Sequence, residues 1–345
     1  MCLYFLLRCG YGNGKMLPAA EGVRFVKVNT VLGPIDAGEM GVTLMHEHIA
    51  NIEWNLARAV PGFYDRERVV ELFCEEMETL KAYGVRTFVD ATPINLGRDV
   101  ELMRQCAERS GIQIIACTGL YWQERPFFHM GLEAERLAEL MIREIRQGME
   151  GTDSKPGFIK CATQLQPGET ETNRNMLRAA ALASKATGLP IYTHTQPGSQ
   201  LASYQQRVFA EEGIAPEKIA FGHVFAGMDK TYIRSLAESG AFVGCDQIGY
   251  EEKVMEPLAD LLAELFQSGL HRQIFLSCDL ALWSDFGCTL AKDHRDRSSN
   301  PMIGYDLRRK TLFEMLLPML RQRGVEESVL ADVLVNNPRR FFGGA

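Results

Sequence analysis

The chain has 345 residues, 46% hydrophobic and 23% charged, a composition that sustains a folded core and holds no biased tract of the fibrous or disordered kind. A formal net charge of −7 lacks the cationic footprint with which proteins displace counterions from phosphates, so nucleic acid is not an expected partner. No apolar run reaches the roughly 18–20 residues that span a bilayer, and nine cysteines without a CxxC pair fit a reducing cytoplasm.

Residues 1–20 begin on an apolar "MCLYFLL" with no basic segment before it and no small-residue cleavage site close behind. A signal peptide is therefore not expected, and the segment reads as a loosely attached extension to one domain over 21–345. Its "GYGNGK" is a poor phosphate loop, because no strand precedes it and no Ser or Thr follows the lysine. "VRFVKVNTVLGPIDA" then reads as a small β-hairpin.

Eight short apolar runs follow: "VTLMHEH" at 42–48, "VRTFVDAT" at 85–92, "IQIIACT" at 112–118 and "GFIKCA" at 157–162, then "PIYTH" at 190–194, "IAFGH" at 219–223, "AFVGC" at 241–245 and "IFLSCD" at 274–279. Between them lie amphipathic helical stretches, such as "DRERVVELFCEEMETLKAYG" with its stop at Gly84, and others near 97–110, 132–148, 172–187, 229–239 and 254–269. "RRKTLFEMLLPMLRQRG" and "EESVLADVLVNNPRRFF" read as closing helices. This alternation predicts a single (β/α)8 TIM barrel with an N-terminal hairpin.

In such a barrel the chemistry sits at the carboxyl ends of the strands. His46 and His48 end the first run, Lys160 lies near the end of the fourth, His194 ends the fifth, His223 the sixth and Asp279 the eighth. Side chains two apart on a strand share a face, so the H-x-H pair can hold one cation, although a packed pair reads equally well in isolation. Four of the seven histidines stand at strand ends, which favours ligation over chance; His129, His271 and His294 fall in polar or loop-like contexts.

Lys160 is costly to bury as an ammonium. A lysine of lowered pKa reacts with carbon dioxide to give an anionic carbamate able to bridge two cations; pairing with an acid is the plainer alternative. Asp279 can ligate a cation and take a proton from activated water, or else cap a helix. The N and O donor set suits Zn2+ foremost, with Mn2+, Co2+ or Fe2+ as alternatives, better than Ca2+.

The segments "GVTLMHEH", "LGRDV", "TGLYW", "KPGFIKCAT", "YTHT", "FGH", "SCD" and "NPRRFF" together resemble the phosphotriesterase family of the amidohydrolase superfamily, and most closely its phosphotriesterase-like lactonases. The resemblance implies two divalent cations bridged by carboxylated Lys160 and a hydroxide. His46, His48 and Asp279 would hold the more buried cation, and His194 and His223 the more exposed one. It also implies a homodimer.

Tyr121 in "TGLYW" falls where those lactonases carry a tyrosine beside the substrate carbonyl, and where phosphotriesterases carry a tryptophan. Two positions depart from the family. Phe225 and Gln247 stand where phosphotriesterases place the Asp and His of a proton relay, and many lactonases have Arg in place of Gln247. Trp122, Phe225, Gln247 and Trp283 complete the expected substrate pocket beside Tyr121, with the long loop 280–306 shaping the leaving-group side.

The leading expectation is hydrolysis of a lactone or related carboxylic ester, a small-molecule substrate, by attack of the bridging hydroxide with Asp279 taking the proton. Phosphotriester hydrolysis, N-acyl or amide hydrolysis, and a catalytically idle metal- or ligand-binding barrel are the alternatives.

Overall fold

The computed structural model describes residues 26–122, 133–163, 169–250, 252–284 and 309–343. The expected extension over 1–20, His129, His294 and most of the loop 280–306 lie outside the described residues.

Strands β1 (Lys27–Thr30) and β2 (Gly33–Asp36) form the expected antiparallel hairpin. The parallel strands follow: β3 (Val42–Asn51), β4 (Val85–Asp90), β5 (Gln113–Gly119), β6 (Phe158–Ala162), β7 (Ile191–His194), β8 (Ile219–Gly222), β9 (Phe242–Cys245), β10 (Ile274–Leu276) and β11 (Ala281–Ser284). They form one sheet in the order β10-β9-β8-β7-β6-β5-β4-β3-β11.

The two ends of that sheet are successive pieces of the same chain segment. Ile274–Leu276 pair with β9, while Ala281–Ser284 pair with β3. Between the pieces the backbone turns from one neighbour to the other: Ser277 N donates to Cys245 O (3.0 Å) and Asp279 N to His46 O (3.0 Å). The eighth barrel strand is thus one interrupted strand, and it closes the barrel.

Helices cover the outside, including α1 (Trp54–Ala59), α2 (Arg66–Lys81), α3 (Val100–Ser110), α4 (Ala134–Gln147), α5 (Glu171–Thr187), α6 (Leu201–Glu211), α7 (Lys230–Glu238) and α8 (Met255–Gln267). Their local logic is ordinary. In α2, Asp65 caps the first turn by accepting from Arg68 N, and Val69, Val70, Phe73, Met77 and Leu80 recur at one-, three- and four-residue steps to bury one face.

Val28 of the hairpin and Phe341 and Phe342 of the C-terminal helix (Asn337–Gly343) join Phe158, Tyr192, Phe242 and Phe275 in a largely aromatic core inside the barrel. That core fills the amino-terminal end. The open end is therefore the carboxyl one. No described helix is long and apolar enough to cross a membrane.

Candidate metal centre

His46 and His48 both turn into the open mouth, with ring centroids 5.6 Å apart, while Glu47 between them faces outward to Arg309. His46 Nε2 stands 3.0 Å from Lys160 Nζ and 3.6 Å from Asp279 Oδ1. His48 Nε2 lies 3.2 Å from the same carboxylate oxygen. From the other wall, the His223 ring sits 4.5 Å from that of His194 and 4.9 Å from that of His46, and His223 Nδ1 is 3.8 Å from Asp279 Oδ2.

All six residues line one pocket of about 310 Å3. Within it His46, His223 and Asp279 offer ligand atoms that all lie within 4.8 Å of one another. The backbone helps to aim them: His223 and Asp279 adopt positive φ, 62° and 52°, as the chain turns sharply out of its strand.

Burial lowers the Lys160 amine, which faces His46 and the Tyr192 ring and pairs with no carboxylate among the described residues. The plainer reading of Lys160, a salt-bridged lysine, therefore finds no partner there. Burial, then Lys160, brings His46 down to about 4, and burial with His223 and Lys160 holds His194 well below its ordinary value.

Neutral imidazoles are the form that ligates. Burial alone would raise Asp279 and depress His223. For Asp279 the surrounding histidines, His223 first, outweigh burial and hold the carboxyl below the usual range. For His223 the carboxylates of Asp246 and Asp279 outweigh it in turn and raise the ring, so a proton and a cation would compete for it.

Several residues of this site were not anticipated from the sequence. Asp246, one residue past β9, is buried and accepts from His46 Nδ1 at 2.8 Å and from His223 Nδ1 at 3.0 Å. Thr92 Oγ1 lies 2.7 Å from His48 Nδ1, and the backbone N of Thr92 donates to Asp90. Tyr250 Oη donates to the Asp279 carbonyl at 2.5 Å and lies 3.4 Å from its Oδ2. An Asp directly after an apolar strand was the available signal for Asp246; Tyr250 and Thr92 carried none.

On the substrate side, Tyr121 Oη lies 3.5 Å from His194 Nε2, with its backbone clasped by the Asn95 side chain. Gly119, at φ 111°, lets β5 pass close to β6 just before Tyr121, since a Cβ there would sit 1.9 Å from Lys160 O. Trp122 and Gln247 also line the pocket, and Gln247 Nε2 reaches Asp279 Oδ2 at 3.4 Å.

Two expected pocket residues lie elsewhere. Phe225 lines a neighbouring cavity of about 290 Å3 that shares Pro197, Gln247 and Tyr250 with the first, because the turn at His223 carries the chain away from the mouth. Trp283 is buried edge-on against Tyr64, at 5.4 Å between ring centroids, within the packing of the barrel against its helices.

A closed (β/α)8 barrel whose carboxyl mouth gathers four imidazoles, a carboxylate and a buried lysine that pairs with no carboxylate among the described residues is a barrel of a class whose mouth could hold metal ions. More particularly, the chain belongs to the phosphotriesterase family, whose profile matches residues 26–342. It is 32% identical over 310 residues to an aryldialkylphosphatase of Saccharolobus solfataricus, covering 89% of this chain and 96% of that one. A phosphotriesterase homology protein of Mycobacterium tuberculosis shares 34% identity over 328 residues, with 92% and 97% covered. A phospho-furanose lactonase of Mycoplasmopsis agalactiae shares 28% over 341 residues, with 91% of each covered. The chain is a hydrolase of a binuclear-metal family.

Proposed function

We propose that this hydrolase cleaves a lactone or related carboxylic ester, and the observation that carries the reading is the Tyr121 hydroxyl beside His194 in the pocket. Burial pushes the phenol above its ordinary pKa, so it stays a hydrogen-bond donor at neutral pH. A neutral donor at that place suits a planar carbonyl oxygen on which charge develops.

The donor set fits a pair of divalent cations, Zn2+ first. The Nδ1 atoms of His46, His48 and His223 are engaged by Asp246 or Thr92, which leaves each Nε2 for ligation, and the Lys160 amine is buried with no acid paired to it among the described residues. His46, His48 and Asp279 would hold one cation, His194 and His223 the other, with carboxylated Lys160 between. When bound, the cations supply Lewis-acid polarisation and make water nucleophilic near neutral pH.

The chain's own residues do the rest. Asp279 takes the proton of the attacking water, its Oδ2 oriented by Gln247 and Tyr250. Tyr121 donates to the substrate oxygen, and Trp122 lines the pocket next to it.

A screen of the metal-loaded protein with lactones, carboxylic esters and phosphotriesters tests the reading. We expect lactones to lead, and Tyr121→Phe to lower kcat/KM for them by about 100-fold with metal content unchanged. A preference for phosphotriesters by orders of magnitude, or an equally active Tyr121→Phe, would overturn it.

A further inference from the structure

Asp246 accepts hydrogen bonds from three residues around the mouth, two of them histidines. Its Oδ2 accepts from His46 Nδ1 (2.8 Å), from His223 N (3.2 Å) and from Tyr192 Oη (3.3 Å). Its Oδ1 accepts from His223 Nδ1 (3.0 Å) and His223 N (2.9 Å). The residue is 1% exposed, and two glycines make room for it: a Cβ on Gly244 would sit 2.7 Å from Oδ2, and one on Gly222 3.1 Å from it.

The two imidazoles come from opposite sides of the centre. His46 belongs to β3 and lies beside His48, whereas His223 follows β8 and packs against His194; both rings approach Asp279. A hydrogen bond to Nδ1 fixes which ring nitrogen carries the proton, turns Nε2 toward the pocket and raises its basicity. One carboxylate does this for both rings. His48 is held separately, by Thr92.

We infer that Asp246 is the positioning residue for both cation positions, so that one side chain sets the affinity of each. The inference rests on the proposed assignment of His46 and His223 to different cations. It separates Asp246 from Thr92, whose reach ends at one.

The test is stepwise titration of the chelator-stripped protein with Zn2+ against a chromophoric competitor, with Co2+ absorption spectra as a second readout. Asp246→Asn should weaken both binding steps by about 10–100-fold, while Thr92→Val weakens a single step. Thermal unfolding of the stripped forms shows whether each variant is folded.

If Asp246→Asn does not fold, the histidine 15N–1H correlation spectrum of the stripped wild type decides instead. Nδ1 protonated in both His46 and His223 supports the inference, and Nδ1 deprotonated in either overturns it. A variant weakened at one step or at none overturns it as well. A wild type that binds no cation at all would instead remove the metal centre on which the inference stands, a distinguishable result.

Discussion

Lys160 shows most directly how a single side chain commits this protein to chemistry. An ammonium 1% exposed at the end of an apolar strand, with no paired carboxylate among the described residues, is disfavoured in its charged form. Carboxylation would replace it with an anion able to hold cations on both sides. Lys160→Ala should therefore leave the centre empty, as measured by metal analysis, and a short carboxylic acid added to the buffer should restore loading. Two-cation loading without the acid would contradict the carbamate. Asp279→Asn should behave in the opposite way, retaining metal while kcat falls by about 100- to 10,000-fold; full turnover would exclude it as the proton acceptor. The positions of His46, His48, Lys160, His194, His223 and Asp279 were legible because each lies at or near the end of a strand run, where a polar side chain contradicts its apolar surroundings. Asp246 was not, since the seventh run ends at Cys245 and the aspartate stands just beyond it. Phe225 and Trp283 were misplaced because the direction of a side chain after a sharp turn or an interrupted strand depends on backbone torsions that residue spacing does not encode.

Among the elements, the eighth strand carries the most consequence. "IFLSCD" reads as one continuous strand, yet pairing with β9 stops at Leu276 and pairing with β3 begins at Ala281, and the break places Asp279 at the mouth. A buried ion network holds the break open. Glu47 Oε1 accepts from Ser277 Oγ and Cys278 N at 2.8 Å each, and its Oε2 accepts from Leu280 N at 3.2 Å and Arg309 Nε at 2.8 Å. Arg309 also pairs with Glu76 and donates to the carbonyls of His48 and Leu280. Sequence periodicity could not reveal this, because the arginine joins from 262 residues beyond Glu47. Arg309→Met leaves Glu47 buried and uncompensated, and should cost about 3–5 kcal/mol in urea unfolding. Glu47→Leu added to it should recover part of that loss, and a single variant as stable as wild type would show that the network does not hold the strand. The other elements were read with uneven success. The hairpin and most helices appear close to their expected bounds, but α1 and α6 were missed; α6 is the crossover that parallel pairing of β7 and β8 requires. The closing helices contain π-wound turns at Leu312–Leu316 and Asp332–Asn336, which a 3.6-residue period does not anticipate.

At the scale of the whole molecule, gathering so many ionisable groups at one mouth ties stability to pH, and the sign follows from the direction of each shift. In the metal-free protein His46 takes up its proton near 4, against 6.5 for an ordinary histidine. The unfolded chain therefore binds that proton first, so the contribution of His46 to stability is complete above 6.5 and is lost as the pH falls from 6.5 toward 4. A shift of this size corresponds to about 3 kcal/mol. His194, depressed by burial, acts in the same direction, while Glu47 and Asp90, raised by burial, act against it, so the stability curve of the wild type alone mixes opposing slopes. Comparison with His46→Gln isolates one of them. Urea unfolding of both metal-free proteins at pH 7 and pH 4 should show the wild type losing about 3 kcal/mol more than the variant over that interval. A stability difference between the two that does not change with pH would mean that His46 is not held neutral by its surroundings, and that burial does not prepare this mouth for cations.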